Sequence, residues 1–73
     1  MRAQIVVQRR GAEWWVEPTR GERRAFRAPA PAEEHARALA LQLRPSEVRV
    51  VGPHGELLMR SLYGPGAPAG SVD

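Results

Sequence analysis

Apolar and polar residues alternate with a period of two at the start of the chain, which is typical of β-strands with one buried face. The first apolar run covers residues 4–8 and ends at an Arg-Arg-Gly turn signal. Residues 14–17 then form the predicted returning strand of a hairpin, which ends at Pro18 because proline has no N–H for the ladder. A second turn signal surrounds Gly21, and residues 24–27 are predicted to form a short third strand.

The pattern then changes to a helical period. Pro31 suits the first turn of a helix, where its missing N–H has no partner to lose. We expect Glu33 and Glu34 in that same turn, where the helix dipole favours negative charge, and an outer i, i+4 ion pair between Glu33 and Arg37. Pro45 ends the helix. The predicted apolar face of the helix consists of Ala32, Ala36, Leu39, Ala40 and Leu43.

Two further strands follow the helix. Residues 47–51 and 56–62 are predicted to pair through a tight turn at 52–55, in which Gly55 takes a left-handed conformation. The predicted fold is therefore α+β: a mainly antiparallel four- to five-stranded sheet with one helix packed on one face, in the order β-β-(β)-α-β-β. Residues 1–64 form the expected domain, and the Pro/Gly/Ala-rich residues 65–73 a disordered tail.

Alternation also assigns the strand residues to the two faces of the sheet. If Trp14 faces the helix, Trp15 faces away from it. The residues expected to face the helix are Ile5, Val7, Trp14, Val16, Val48, Val50, Leu57 and Met59. The opposite face then carries an apolar patch of the kind that marks interfaces, and its candidate residues are Val6, Trp15, Arg49, Val51, Leu58, Arg60 and Leu62. A shift of one residue would instead bury Trp15 in the core.

The chain is 73 residues long, close to the lower limit for a self-sufficient hydrophobic core. It has no cysteine, so disulfides cannot support the fold, and a reducing cytoplasm is the expected compartment. His35 and His54 are the only histidines and have no thiolates beside them, so we expect neither a metal nor another cofactor. No apolar run is long enough to span a membrane. Self-association remains as a way to enlarge the core.

The positive charge lies at the start of the chain. Residues 1–29 contain seven Arg and three Glu, a net charge of +4, whereas residues 30–64 contain four of each. Such an asymmetry suits an anionic partner, although solvated strand edges also carry charge. The candidate nucleic-acid contacts are Arg9, Arg10, Trp15, Arg20, Arg24 and Arg27.

No arrangement typical of an enzyme is present. The serines are Ser46, Ser61 and Ser71, and the only aspartate is Asp73, so a Ser-His-Asp triad has no plausible members. Carboxylates occur as neighbours on a helix or singly on strands, where nothing would raise the pKa of a general acid. We therefore expect no catalytic residues.

Several short motifs follow one another along residues 4–64: Trp14 with Val16, the segment Glu22 to Phe26, the helix start Ala32 to Ala36, the hairpin His54 to Glu56, and the end Arg60, Ser61, Tyr63 and Gly64. Taken in this order, they resemble the small bacterial family known as domain of unknown function 2188. The resemblance implies the same fold and a bacterial origin, but no known activity. The chain departs from the family at the helix start, where Ala-Pro-Ala-Pro replaces a Thr cap.

Three strands before an alanine-rich helix also resemble the AP2-type DNA-binding domain, which reads DNA with Arg and Trp residues on its sheet. That family does not require the two strands predicted after the helix.

The expected function is a non-enzymatic cytoplasmic interaction module, which forms a homodimer or binds another protein through the helix-free face or an edge of its sheet. The alternative is a small nucleic-acid-binding protein.

Overall fold

The computed structural model describes residues 2–65, which form five strands and one helix. The elements are β1 (Ala3–Arg10), β2 (Glu13–Pro18), β3 (Arg24–Phe26), α1 (Pro29–Gln42), β4 (Ser46–Val51) and β5 (Leu57–Tyr63). The strands form a single sheet in the order β3-β2-β1-β4-β5. The predicted α+β class, the short third strand and the helix are confirmed.

The chain builds this sheet in two halves. Strands β1, β2 and β3 form an antiparallel meander that grows towards one edge, and α1 then crosses the sheet so that β4 returns beside β1. Because α1 serves as a crossover connection, β4 runs parallel to β1. The β4–β5 hairpin completes the other edge and is antiparallel. The sheet is therefore mainly antiparallel, with one parallel pair at its centre.

The hydrophobic core lies between α1 and one face of the sheet. Its buried residues are Ala3, Ile5, Val7, Val16, Ala32, Ala36, Ala40, Val48 and Val50. Trp14, Phe26, Leu39, Leu43 and Tyr63 pack against them. The pairing of Gln8 with Trp15 places Trp15 on the other face of the sheet, so the structure selects Trp14 as the core tryptophan.

The helix differs from its sequence-based prediction at its start. It begins at Pro29 rather than near Pro31, and its N-cap residue, Ala28, makes no side-chain capping hydrogen bond. As a result, Glu33 and Glu34 lie beyond the first turn, and their predicted position in it is wrong. Arg37 forms its ion pair with Glu34, at 4.0 Å between Nη2 and Oε2, and not with Glu33.

A register irregularity in the last hairpin corrects a second prediction. Val50 pairs with Met59 but Val51 pairs with Leu57, so Leu58 is an extra residue at a β-bulge. Since paired residues share a face, Leu57 lies with Val51 on the side away from the helix, and the prediction that it faces the helix is wrong. Met59 does lie on the helix side, as predicted.

The remaining predictions concern turns and ends. Gly55 has a φ of 85°, which confirms its predicted left-handed conformation, and its N–H donates to the carbonyl oxygen of Gly52 at 3.1 Å. None of the described residues belongs to a helix long and apolar enough to cross a membrane. The predicted disordered tail falls almost wholly outside the described residues.

Candidate interaction surface

The face of the sheet turned away from α1 is called here the helix-free face. Cross-strand pairs place six of the seven candidate surface residues on it: Val6, Trp15, Arg49, Val51, Arg60 and Leu62. The seventh, Leu58, lies at the bulge in β5 and is 61% exposed. The sequence-based set therefore forms one continuous surface, to which the bulge adds Leu57.

The exposed apolar side chains of this surface are concentrated on β5. Leu57, Leu58 and Leu62 are each more than half exposed, whereas Val6 and Val51 are only partly exposed. Strand β5 is an edge strand, so no other strand within residues 2–65 pairs with its outer backbone groups. The most accessible apolar area thus lies at the β5 edge, three strands away from Trp15.

Trp15 itself is less available than the sequence suggested. It is partly buried between its cross-strand neighbours Gln8 and Ala25, and the guanidinium carbon of Arg23 lies 5.4 Å from its ring centroid. That distance is within the range of a cation–π interaction. Glu17, on the same strand and face, forms an ion pair with Arg23 at 3.8 Å. Arg23, which is held in place by Glu17, therefore covers one side of the Trp15 ring.

A buried carboxylate organises the other half of the helix-free face. Glu47 is only 2% exposed although it points away from the core, because three arginine side chains cover it. Its Oε2 accepts hydrogen bonds from the Nε of Arg49, at 2.9 Å, and from the Nε of Arg60. Its Oε1 lies 3.5 Å from Nη1 of Arg2. These three arginines and Glu47 are called here the Glu47 cluster.

The electrostatics of this cluster follow from its geometry. The hydrogen bond from Arg49, assisted by Arg60, lowers the pKa of Glu47 to about 2, against the opposing effect of desolvation. Glu47 is thus ionised at neutral pH, and the cluster carries a net charge of +2. Sequence analysis placed Arg49 and Arg60 in the candidate surface but missed Glu47. The spacing of Glu47 and Arg49 by two residues on one strand was the available signal.

A groove of about 340 Å³ lies on the opposite face of the sheet, between α1 and β5. Its floor includes Val50, Met59 and Tyr63, and Glu34 and Arg37 of α1 line one side. The groove exists because one helix, roughly 10 Å wide, cannot cover five strands spaced about 4.8 Å apart. Met59 is consequently 51% exposed despite its position on the helix side.

The candidate nucleic-acid contacts are not brought together on one face. Arg10 shares the helix-free face with Trp15 and forms an ion pair with Glu17 at 3.3 Å. Arg9 pairs with Trp14 and Arg24 pairs with Val16, so both lie on the helix side. Two others are exposed outside the strands: Arg20 and Arg27. These arginines therefore do not form a single surface with Trp15.

The residues considered for catalysis or metal binding are also dispersed. His35 packs against the ring of Phe26 with 5.3 Å between centroids, and His54 lies in the β4–β5 turn. The buried hydroxyl of Ser46 donates to the carbonyl oxygen of Ala40 at 2.7 Å. Within residues 2–65 there is no group of three His, Cys, Asp or Glu side chains that could hold a metal ion. Ser71 and Asp73 fall outside the described residues.

Comparisons with protein-family models, with curated proteins and with solved structures found no match to this chain.

Proposed function

We propose that this protein is a small non-enzymatic interaction module that forms a homodimer by pairing the β5 edges of two sheets. The proposal rests on the length, the edge position and the exposed apolar side chains of β5. It is a seven-residue edge strand on which Leu57, Leu58, Met59 and Leu62 are each more than half exposed. A long, apolar, unpaired edge is a template for a further strand. The proposed compartment, a bacterial cytoplasm, rests on the absence of cysteine and on the family resemblance.

The two edges of the sheet differ in a way that favours β5. The opposite edge, β3, is only three residues long and begins with Arg24. Short, charged edge strands resist pairing with another chain. Strand β5 carries one charged residue, Arg60, and its guanidinium is drawn towards Glu47. Pairing between two copies is therefore expected at β5 and not at β3.

Symmetric pairing would also cover the groove beside α1. Two β5 strands related by a two-fold axis perpendicular to the sheet run antiparallel and extend it to ten strands. Both helices then lie on the same side, and the helix-side residues Met59 and Tyr63 of each copy approach the groove of the other. The same pairing buries Leu57 and Leu62 on the helix-free face. Apolar groups on both faces of β5 would thus find partners.

The expected affinity follows from these contacts. Burying the exposed half of one such apolar side chain contributes about 1 kcal/mol. The four side chains of each copy, eight in the dimer, therefore contribute roughly 8 kcal/mol. Backbone hydrogen bonds across the new strand pair add about 1 kcal/mol each. The loss of translational and rotational freedom costs at least ~4 kcal/mol, and side-chain ordering adds to this cost. The balance indicates a dissociation constant in the micromolar range.

The test is sedimentation equilibrium of the full chain from low micromolar to several hundred micromolar concentrations. The wild-type protein should change from monomer to dimer over this range, at both low and high salt, because the contacts are mainly apolar. Leu58→Asp should remain monomeric because it places a charge in the interface.

The matched control is Ala38→Asp, which introduces the same charge at an exposed helix residue that does not line the groove. It should dimerise like the wild type, and both variants should keep their circular dichroism spectrum. A wild-type monomer at the highest concentration, or an equal loss of dimer in the two variants, would refute the β5 interface.

A further inference from the structure

The Glu47 cluster is complete within one chain, and one of its members, Arg60, also lies on β5, the proposed dimer edge. We propose that Arg2, Arg49 and Arg60 form a binding site for the phosphate groups of a nucleic-acid backbone. The site lies on the β4–β5 half of the helix-free face. It is distinct from the arginines at the β1–β2 and β2–β3 ends of the sheet, which sequence analysis had favoured for this role.

Glu47 fixes the orientation of two of its arginine partners. Arg49 and Arg60 both reach its carboxylate through Nε. The terminal Nη nitrogens of these two side chains make no hydrogen bond with any residue between 2 and 65. A guanidinium fixed at Nε keeps its outer donors in a defined direction, which suits bidentate contact with a phosphate.

The three arginines of the Glu47 cluster are accessible and carry an excess of positive charge. The side chains of Arg2, Arg49 and Arg60 are 47%, 42% and 47% exposed, so their outer donors reach solvent. Three arginines share one carboxylate, which leaves a net charge of +2 in a small area. Such an excess attracts a polyanion, and the attraction weakens with salt as counterions are released.

Positive charge is distributed unevenly over the helix-free face. On its β2 side, Arg10 and Arg23 are both paired with Glu17, and Arg10 also lies opposite Glu13. The positive charge there is largely neutralised. The unbalanced charge of this face is therefore at the Glu47 cluster, and a phosphate would be bound there.

The choice of nucleic acid over an acidic peptide rests on Trp15. It lies on the same face as the Glu47 cluster, two strands across from Arg49 and two residues further along the sheet, which is a separation of about 12 Å. A base can stack on an indole ring while its backbone contacts arginine, whereas a carboxylate side chain gains nothing from the ring.

The binding test uses a fluorescein-labelled oligothymidylate of roughly ten nucleotides and measures anisotropy as a function of salt. The double variant Arg49→Gln/Arg60→Gln should weaken binding by about tenfold or more and reduce the slope of log K against log salt by about 1.4. The matched control is Arg9→Gln/Arg24→Gln, which removes the same charge from the helix side of the sheet. It should weaken binding by less than about threefold.

A measurement on the wild-type protein avoids dependence on the stability of the variants. In a ¹H–¹⁵N NMR titration with inorganic phosphate at low temperature, the Nη–H signals of Arg49 and Arg60 should shift, and excess phosphate should displace the oligonucleotide. Equal losses in the two double variants, or unshifted Nη–H signals, would overturn the site.

Two further outcomes decide the source of the phosphate. If the oligonucleotide bound no more tightly than inorganic phosphate, the site would bind free phosphate and not the backbone of a nucleic acid. A polyglutamate peptide of equal charge that bound more tightly than the oligonucleotide would likewise overturn the proposal. Sedimentation of the same samples without oligonucleotide reports dimerisation separately.

Discussion

Alanines make the contact between α1 and the sheet, so a larger side chain at one of them should destabilise the fold. Ala32, Ala36 and Ala40 are all fully buried and lie on one side of the helix, facing the core valines and Ile5. Such small side chains let the helix axis approach the sheet closely. We expect Ala36→Leu to destabilise the protein, because three additional carbon atoms must enter a core that closes around a methyl group.

The magnitude can be worked out from the position. Overpacking a well-packed core costs about 1–3 kcal/mol, and the helix propensities of Ala and Leu differ by only a few tenths of a kcal/mol. A domain of this size has a total stability of roughly 4–11 kcal/mol. A loss of about 2 kcal/mol would lower the melting temperature by roughly 8–16 °C.

The assay is thermal and urea unfolding followed by circular dichroism, with Ala38→Leu as the control. Ala38 lies on the same helix but is exposed, so the same substitution there should change stability by at most about 0.5 kcal/mol. Equal melting temperatures for the two variants, or a higher one for Ala36→Leu, would refute close packing through this alanine.

The local elements of the fold could be predicted from the sequence because their signals are local. The period of two in β1 and β2 gives the strands, and the spacing of Ala32, Ala36 and Ala40 gives the buried face of the helix. Adjacent tryptophans left a choice of register. The structure decides it through long-range pairing, in which Trp14 lies opposite Phe26 and against the core.

The parts that could not be predicted depend on which strands become neighbours. The parallel pairing of β1 with β4 joins segments about forty residues apart, and no single-sequence pattern encodes it. The bulge at Leu58 reverses the face of Leu57, since one extra residue breaks the alternation. The Glu47 cluster unites Arg2 with residues of β4 and β5, so it becomes visible only once the order of the strands is known.

Two further predictions concern polar groups that the fold has buried. Ser46→Ala removes the hydrogen bond to the carbonyl oxygen of Ala40 and should cost about 1–3 kcal/mol in urea unfolding; an unchanged midpoint would contradict this role. For Glu47→Gln the test is pH. The arginines lower the pKa of Glu47 from 4.5 to about 2, so the stabilisation is complete above pH 4.5 and is lost as the pH falls towards 2. The wild type should therefore be more stable than Glu47→Gln at pH 7, and unfolding at pH 7, 4 and 2.5 should show the difference shrinking. A difference that stayed constant or grew on acidification would show that the ionised carboxylate does not hold the three arginines.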